Sequence, residues 1–408
     1  MGAEVARAGR QGGGRVVYVT YDGALDPLGA SQVVPYLEGL ARRGVELTLL
    51  SFEKPARWDV REERRALAQR LSSAGIRWHP QRYHKRPRLP ATLLDVARGA
   101  QVLARVARQG QAELVHCRGD VAMVMARAAA LPRTTRLLYD MRGFFSEERI
   151  EAGSWSRGSL LHRSICRVEA GNLRRADGIV VLTRAARLEL ERRGPVRPPV
   201  RVIPTCVDLS RFRPRSDGER PPYGVVYSGS LGTFYLAREM LDFARCLVEE
   251  LSGQALFLTP QAEEARRAGA VGAWVEVHSA APADVPAWLR RARTSLLFCR
   301  ATAARRWSCP TKLAEALATG LPVAVNKGIG DLDDEIEREG VGVLVGDLDG
   351  RAYRVVAQRL AQMAVDPDVP RRCRRWAETR YGLEGGIDAY HDLYQTLIAR
   401  PGGRGALP

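Results

Sequence analysis

The sequence predicts an α/β protein made of two doubly wound parallel sheets, one after the other along the chain, with a cleft between them. Three observations carry this. Short apolar runs alternate with amphipathic segments over most of the 408 residues. Runs such as VVYV (16–19) are apolar at every position, as strands covered on both faces must be. A Pro- and Arg-rich stretch, RVIPTCVDLSRFRPRSDGERPP (201–222), separates two such series and reads as a linker. Length agrees, since one core rarely grows beyond about 300 residues.

Residues 1–14 (MGAEVARAGRQGGG) hold no apolar run and are expected to be disordered. A strand at 16–20, a loop with Gly23, Pro27 and Gly29, a helix around 31–43 and a strand at 45–52 make a βαβ unit. Strands at 112–117, 136–141 and 177–183 complete a first domain, 15–200. The second, 223–369, has strands at 224–229, 255–259, 274–279, 295–300 and 322–326, with helices at 233–251 and 311–319. Residues 370–408 read as helical segments broken at Gly385 and Gly386 that cross back toward the first domain. Ligands of open α/β sheets bind beyond the carboxyl ends of the strands, so the chemistry belongs in the cleft.

The formal net charge is +17, although only four of the 63 basic residues are lysine. The excess suits polyanionic partners, and arginine-rich composition explains it equally well. No nucleic-acid-binding motif accompanies it, which argues against nucleic acid as a partner. Seven cysteines, odd in number and without CxxC spacing, read as free thiols rather than a disulfide framework or a zinc site. No leader and no apolar stretch of about 18 residues is found, so a cytoplasmic location is expected.

The strongest local signal is SCPTKLAEALATGLPVAVNKGIGD (308–331). Pro310 suits a helix start and Gly320 its end, which puts Thr311 and Lys312 in the first turn, where free N–H groups and a cation favour phosphate. Glu315, one turn on, is placed to accept from two vicinal sugar hydroxyls, or else to pair with Lys312 on a solvated face. In YSGSLGTFY (227–235), Gly229 and Ser230 let the backbone approach an anion, or simply make a tight turn. Gly29 stands just before a helix start, next to a ligand or in a plain turn. YDMRGFFSEER (139–149) puts Asp140 and Arg142 at the cleft edge, as reactive charges or as an ion-paired loop. His116 reads as a core histidine. Residues 82–108 carry seven basic side chains, one acid, and apolar positions Leu93, Leu94, Val96, Leu103 and Val106 near helical spacing. They fit an anionic membrane surface or the ordinary covering of a sheet.

With these residues in view, the chain resembles the GT-B glycosyltransferases of family 4. YDGALDPLGASQVVPYL, YDMRGFFSEER, VIPTCVDLSRF, YSGSLGTFY and the 308–331 segment lie in the family's order between residues 15 and 345. The resemblance implies two Rossmann-like domains, a nucleotide-diphosphate sugar as donor substrate, retention at the anomeric carbon, and no metal or other cofactor. It implies that Glu315 holds the ribose, that Thr311, Lys312, Gly229 and Ser230 meet the diphosphate, and that Gly29 lies near donor phosphates or sugar. Asp140 and Arg142 stand where many members have a catalytic histidine. Trp307 occupies the place of the first glutamate of the family's pair, and Ser230 and Tyr235 stand near that of its Arg and Lys. The branch with PTK is associated with cell-surface polysaccharide assembly, which implies a glycan or lipid-linked acceptor and peripheral attachment to the inner face of the cytoplasmic membrane. A GT-B protein that binds without turnover, or a sugar-nucleotide epimerase, are the alternatives.

Overall fold

The computed structural model describes residues 13–84, 86–216, 221–232, 234–348 and 350–400. The N-terminal sheet is made of β1 (Arg15–Thr20), β2 (Glu46–Glu53), β3 (Arg77–Arg82), β4 (Leu114–Arg118), β5 (Arg136–Asp140), β6 (Gly178–Val181) and β7 (Val200–Val202), all parallel, in the order β3-β2-β1-β4-β5-β6-β7. Residues of β1 feed two cores in alternation: Val16 and Tyr18 face one layer of helices, Val17 and Val19 the other. This is why the run is apolar throughout. The C-terminal sheet has β8 (Tyr223–Ser228), β9 (Gln254–Leu258), β10 (Val275–His278), β11 (Ala292–Leu297), β12 (Val323–Asn326) and β13 (Gly342–Val345), parallel in the order β10-β9-β8-β11-β12-β13. Strand order reverses at β1/β4 and at β8/β11, and crevices open there.

Several expectations are corrected. Of residues 1–14, only Gly13 and Gly14 are described; Gly13 N–H donates to Gly44 O, and the rest lie outside the described residues. The helix expected at 31–43 is two helices, Pro27–Gln32 and Val34–Arg42, parted at Val33 just ahead of Pro35. Strand β3, RWHPQR, carries too little apolar pattern to be read, and its Pro80 is tolerated because the strand lies at the sheet edge. The stretch 201–222 is no free spacer. Val202 ends β7, Ile203 and Cys206 are buried in the N-terminal core, and Val207 and Phe212 in the C-terminal one.

The final helices divide between the domains, and their break falls at Gly382 rather than at Gly385 and Gly386. Helix Val369–Tyr381 buries Cys373, Ala377 and Tyr381 in the C-terminal core. Helix Leu383–Ala399 buries Ile387, Tyr390, Leu393 and Tyr394 in the N-terminal core. At the crossing, Val207 N–H donates to Tyr381 O and Leu383 N–H to Val207 O, so the two connections between domains are hydrogen-bonded to each other. Inside the last helix a side chain at Gly386 would meet Cys206 Sγ at 2.7 Å, which explains the glycine by close approach.

Trp307 supplies a second junction. It is 7% exposed and packs within the N-terminal core, its ring 4.2 Å from that of Phe144, although it belongs to the C-terminal half of the chain. The Arg193 guanidinium caps both rings, 4.1 Å from Phe144 and 5.4 Å from Trp307. Beside it, Arg305 pairs with Glu151 at 2.9 Å, and Asp331 accepts the N–H groups of Arg184 and Ala185 that open a helix of the first domain. Trp307→Ala should therefore lower unfolding stability by about 3 kcal/mol in denaturant titrations; a loss under about 1 kcal/mol would show that the ring is no anchor.

Candidate functional site

The two switch points face one cleft of about 690 Å³, whose lining includes Gln32, Arg211, Gly229, Thr311, Lys312 and Glu315. The C-terminal wall follows from local sequence. β8 ends in Gly229, which adopts φ +132, and a Cβ there would lie 2.5 Å from Lys312 Nζ. Only glycine permits both the turn and the lysine's approach. The helix Thr311–Ala318 starts at Pro310 with no side-chain cap and ends before Gly320, at φ +81.

Lys312 is the electrostatic centre of this wall. Its Nζ donates to Tyr227 Oη at 3.0 Å and sits 3.7 Å from the ring centre of Tyr235, while Tyr227 Oη donates in turn to Ser230 O. Among the described residues no carboxylate lies within ion-pairing distance of this ammonium. Burial pushes its pKa down to about 7, against the pull of Glu315. Burial likewise pushes Glu315 up to about 7, opposed by Lys312 and Arg211. A cation held by a hydroxyl and an aromatic face, with a desolvated acid one turn away, is set up to take an anion joined to a group bearing hydroxyls.

Residues 29–211 match the family model Glycosyltransferase Family 4. Comparison with curated protein sequences gives no match. Among solved structures, the chain is similar to the sucrose-phosphate synthase of Thermosynechococcus elongatus (18% identity, 95% of this chain and 99% of that one, TM-score 0.70). It is similar also to TarM (9% identity, 93% and 98%, TM-score 0.68) and to HepE of Anabaena in complex with UDP and glucose (13% identity, 94% and 100%, TM-score 0.61). At these identities the likeness establishes the GT-B fold, and the 7- and 6-stranded parallel sheets have that architecture.

The predicted donor residues Gly229, Thr311, Lys312 and Glu315 come together on the cleft wall. Ser230 is exposed beside it and offers its carbonyl to Tyr227. Gly29 is buried behind the opposite wall, with Leu28 and Ala30 lining the cleft. Its lack of a side chain is explained without a ligand, because a Cβ would come within 2.0 Å of Gly23 O. That loop is clamped by Glu53, which accepts the N–H groups of Ala24 and Leu25; burial holds its carboxyl above the usual range.

Asp140 and Arg142 are placed elsewhere. Asp140, at the end of β5, is 1% exposed and committed to Arg142 at 3.3 Å, His116 at 3.4 Å and Arg118 at 3.6 Å. Burial alone would raise its pKa, but Arg142, His116 and Arg118 together hold it well below the ordinary carboxylate range. His116 shares a 2.6 Å hydrogen bond with Tyr394 of the last helix, and burial lowers its pKa against the pull of Asp140. This buried cluster ties the last helix to the sheet and lies outside the cleft lining.

Two cleft residues escaped the sequence reading. Arg211, inside the supposed linker, reaches the lining and donates to Pro282 O at 3.0 Å. Gln32 is buried and donates from Nε2 to Cys206 O at 2.9 Å. Arg211 lies within VIPTCVDLSRF and Gln32 within YDGALDPLGASQVVPYL, so each was marked only by the segment it belongs to. Asp140→Ala should cost about 3–5 kcal/mol of stability by stranding buried arginines, read by chemical denaturation. Because the folded carboxyl is held low, its stabilisation is present above about pH 4 and disappears as acid protonates it, so the wild type should approach the variant's stability on acidification. Equal loss at pH 7 and at pH 3 would contradict this role.

Proposed function

We propose that the chain transfers a sugar, with retention, from a nucleoside-diphosphate donor to a glycan or lipid-linked acceptor in cell-surface polysaccharide synthesis, working at the inner face of the cytoplasmic membrane. The observation that carries the donor half of this reading is Lys312: a partly buried ammonium with no carboxylate among the described residues within ion-pairing distance, facing a cleft of nucleotide size. The family 4 domain and the GT-B fold support it, as does likeness to HepE, whose solved complex holds UDP and glucose.

In this reading the diphosphate lies across Gly229 and the start of the Thr311–Ala318 helix. Negative charge grows on the leaving diphosphate as the glycosidic bond breaks, and the Lys312 ammonium with the uncapped N–H groups stabilises it where water is scarce. Glu315 accepts from the ribose hydroxyls, and Arg211 adds positive charge at the same end. Asp140 acts as framework rather than as a group that meets the sugar. With Trp307 docked in the other domain, no glutamate from that position reaches the sugar. This favours, as a second reading, a protein that binds nucleotide sugars without turnover; release of free sugar or transfer to an acceptor excludes it. Sugar isomerised without acceptor would instead mark an epimerase.

Titration calorimetry with UDP, GDP and ADP tests the donor site. At least one should bind, and Glu315→Ala should weaken it about tenfold or more, as loss of a charged hydrogen-bond acceptor does. No binding by the wild type would refute the assignment. Protons give a second check. At pH 8 a lysine with a pKa near 7 is mostly neutral, and the diphosphate requires it charged, so binding takes up a proton and affinity falls as pH rises from 7 to 9. At pH 6 Glu315 is mostly protonated and must ionise to accept ribose hydroxyls, which reverses the exchange. Binding heats at pH 8 that do not depend on the buffer's ionisation enthalpy would contradict this.

A further inference from the structure

The helix Arg88–Gln109 divides its apolar side chains between two faces. Leu103 and Val106 are buried with Val17 and Leu50 in the core, so these positions of the apolar stripe do cover the sheet. At the helix start the pattern changes. Leu89, Leu93 and Leu94 are 61%, 68% and 50% exposed, the densest group of large exposed apolar side chains among the described residues. Such a group, on a face that nothing covers, marks a contact surface.

Charge says what the contact is. Along the helix the exposed face continues through Arg98, Arg105 and Arg108, and Arg86 is exposed just before it. The only acid in the helix, Asp95, is fully buried: it accepts from Tyr21 Oη at 2.9 Å and His84 N–H at 3.0 Å, and lies 2.5 Å from His84 Nδ1. The described exposed face therefore carries leucines and arginines and no carboxylate. An acidic protein surface would satisfy the arginines and leave three leucines unaccounted for. An anionic bilayer takes both, acyl chains receiving the leucines and phosphates the guanidiniums.

We infer that this face docks the chain on an anionic phospholipid surface, leucine end immersed. Asp95 fixes the geometry. Through Tyr21 and His84 it ties the helix start to the residues that follow β1 and β3, at the carboxyl ends of the strands, the side of the sheet on which the cleft opens. A bilayer against the leucines thus lies on the carboxyl-end side of the sheet, the side on which the cleft opens and from which a lipid-linked acceptor would approach. That role rests on the transfer proposed above; the lipid contact itself does not.

Co-sedimentation of the full chain, without donor, with vesicles of phosphatidylglycerol or of phosphatidylcholine tests the inference. The wild type should sediment with phosphatidylglycerol, weakly with phosphatidylcholine, and less at higher salt. The variant L89S/L93S/L94S should partition about fivefold or more weaker, as should R98A/R105A on the anionic vesicles. These side chains are exposed, so the variants should keep the wild-type denaturation midpoint. Glu315→Ala should sediment like wild type, which separates this result from the fate of the donor site. A wild type that stays in the supernatant with phosphatidylglycerol, or a leucine variant that loses less, overturns the inference.

Discussion

The site depends on one constraint: an ammonium taken partly out of water with no carboxylate among the described residues close enough to form an ion pair with it. Desolvating Lys312 costs free energy, and the Tyr227 hydroxyl and the Tyr235 ring recover only part of it. The shortfall appears as a pKa lowered toward neutrality. The acids that the N-terminal side brings to the lining, Glu38 and Glu384, are paired with Arg70 and with Arg42 and Arg43. The loop between Thr20 and Pro27 folds back on Glu53, whose carboxylate accepts the N–H groups of Ala24 and Leu25. The cleft keeps its positive end open to an anion supplied from outside.

Such an open cation is useful only if the walls stay apart by a fixed distance, and two junctions set that distance. One is the double crossing at Val207 and Gly382, where the chain passes between domains twice and hydrogen-bonds to itself. The other is Trp307 under Arg193, backed by the Arg305 to Glu151 pair. The ring contact itself is apolar and does not weaken with salt, and the interdomain pairs Arg305 to Glu151 and Arg184 to Asp331 and Glu335 flank it. Trp307 is thereby committed to holding the domains together rather than to lining the cleft.

Much of the architecture was legible in the sequence because parallel strands covered on both faces must be apolar throughout, as VVYV and GVVYS are. Lys312, Glu315 and Gly229 were legible because helix starts and glycine turns announce themselves through Pro310, Gly320 and the strand before them. What was not legible depended on three dimensions. Asp140 looked like a cleft-edge charge since it ends a strand, and only the folded chain shows His116, Arg118 and Arg142 surrounding it. The 201–222 stretch looked like a spacer because prolines and arginines masked Ile203, Cys206, Val207 and Phe212, which dock in different cores. Gly29 carried the signature of a ligand loop, and the constraint proved to be the carbonyl of Gly23.

The charge excess takes on a more definite meaning in this light. A net +17 spread evenly would raise affinity for any polyanion alike. Here many of the arginines are occupied: Arg142 and Arg118 with Asp140, Arg305 with Glu151, Arg380 with Asp331. The cations left facing outward without acids beside them include the row on the Arg88–Gln109 helix, and inside the cleft Lys312 and Arg211. One place is flat and edged with leucine; the other is concave and backed by glycine. A lipid surface and a diphosphate are both anionic, and shape assigns each to its own place. The helix start is tied through Asp95 to the carboxyl-end side of the strands, on which the cleft also opens, so the two cationic places stand on one side of the sheet.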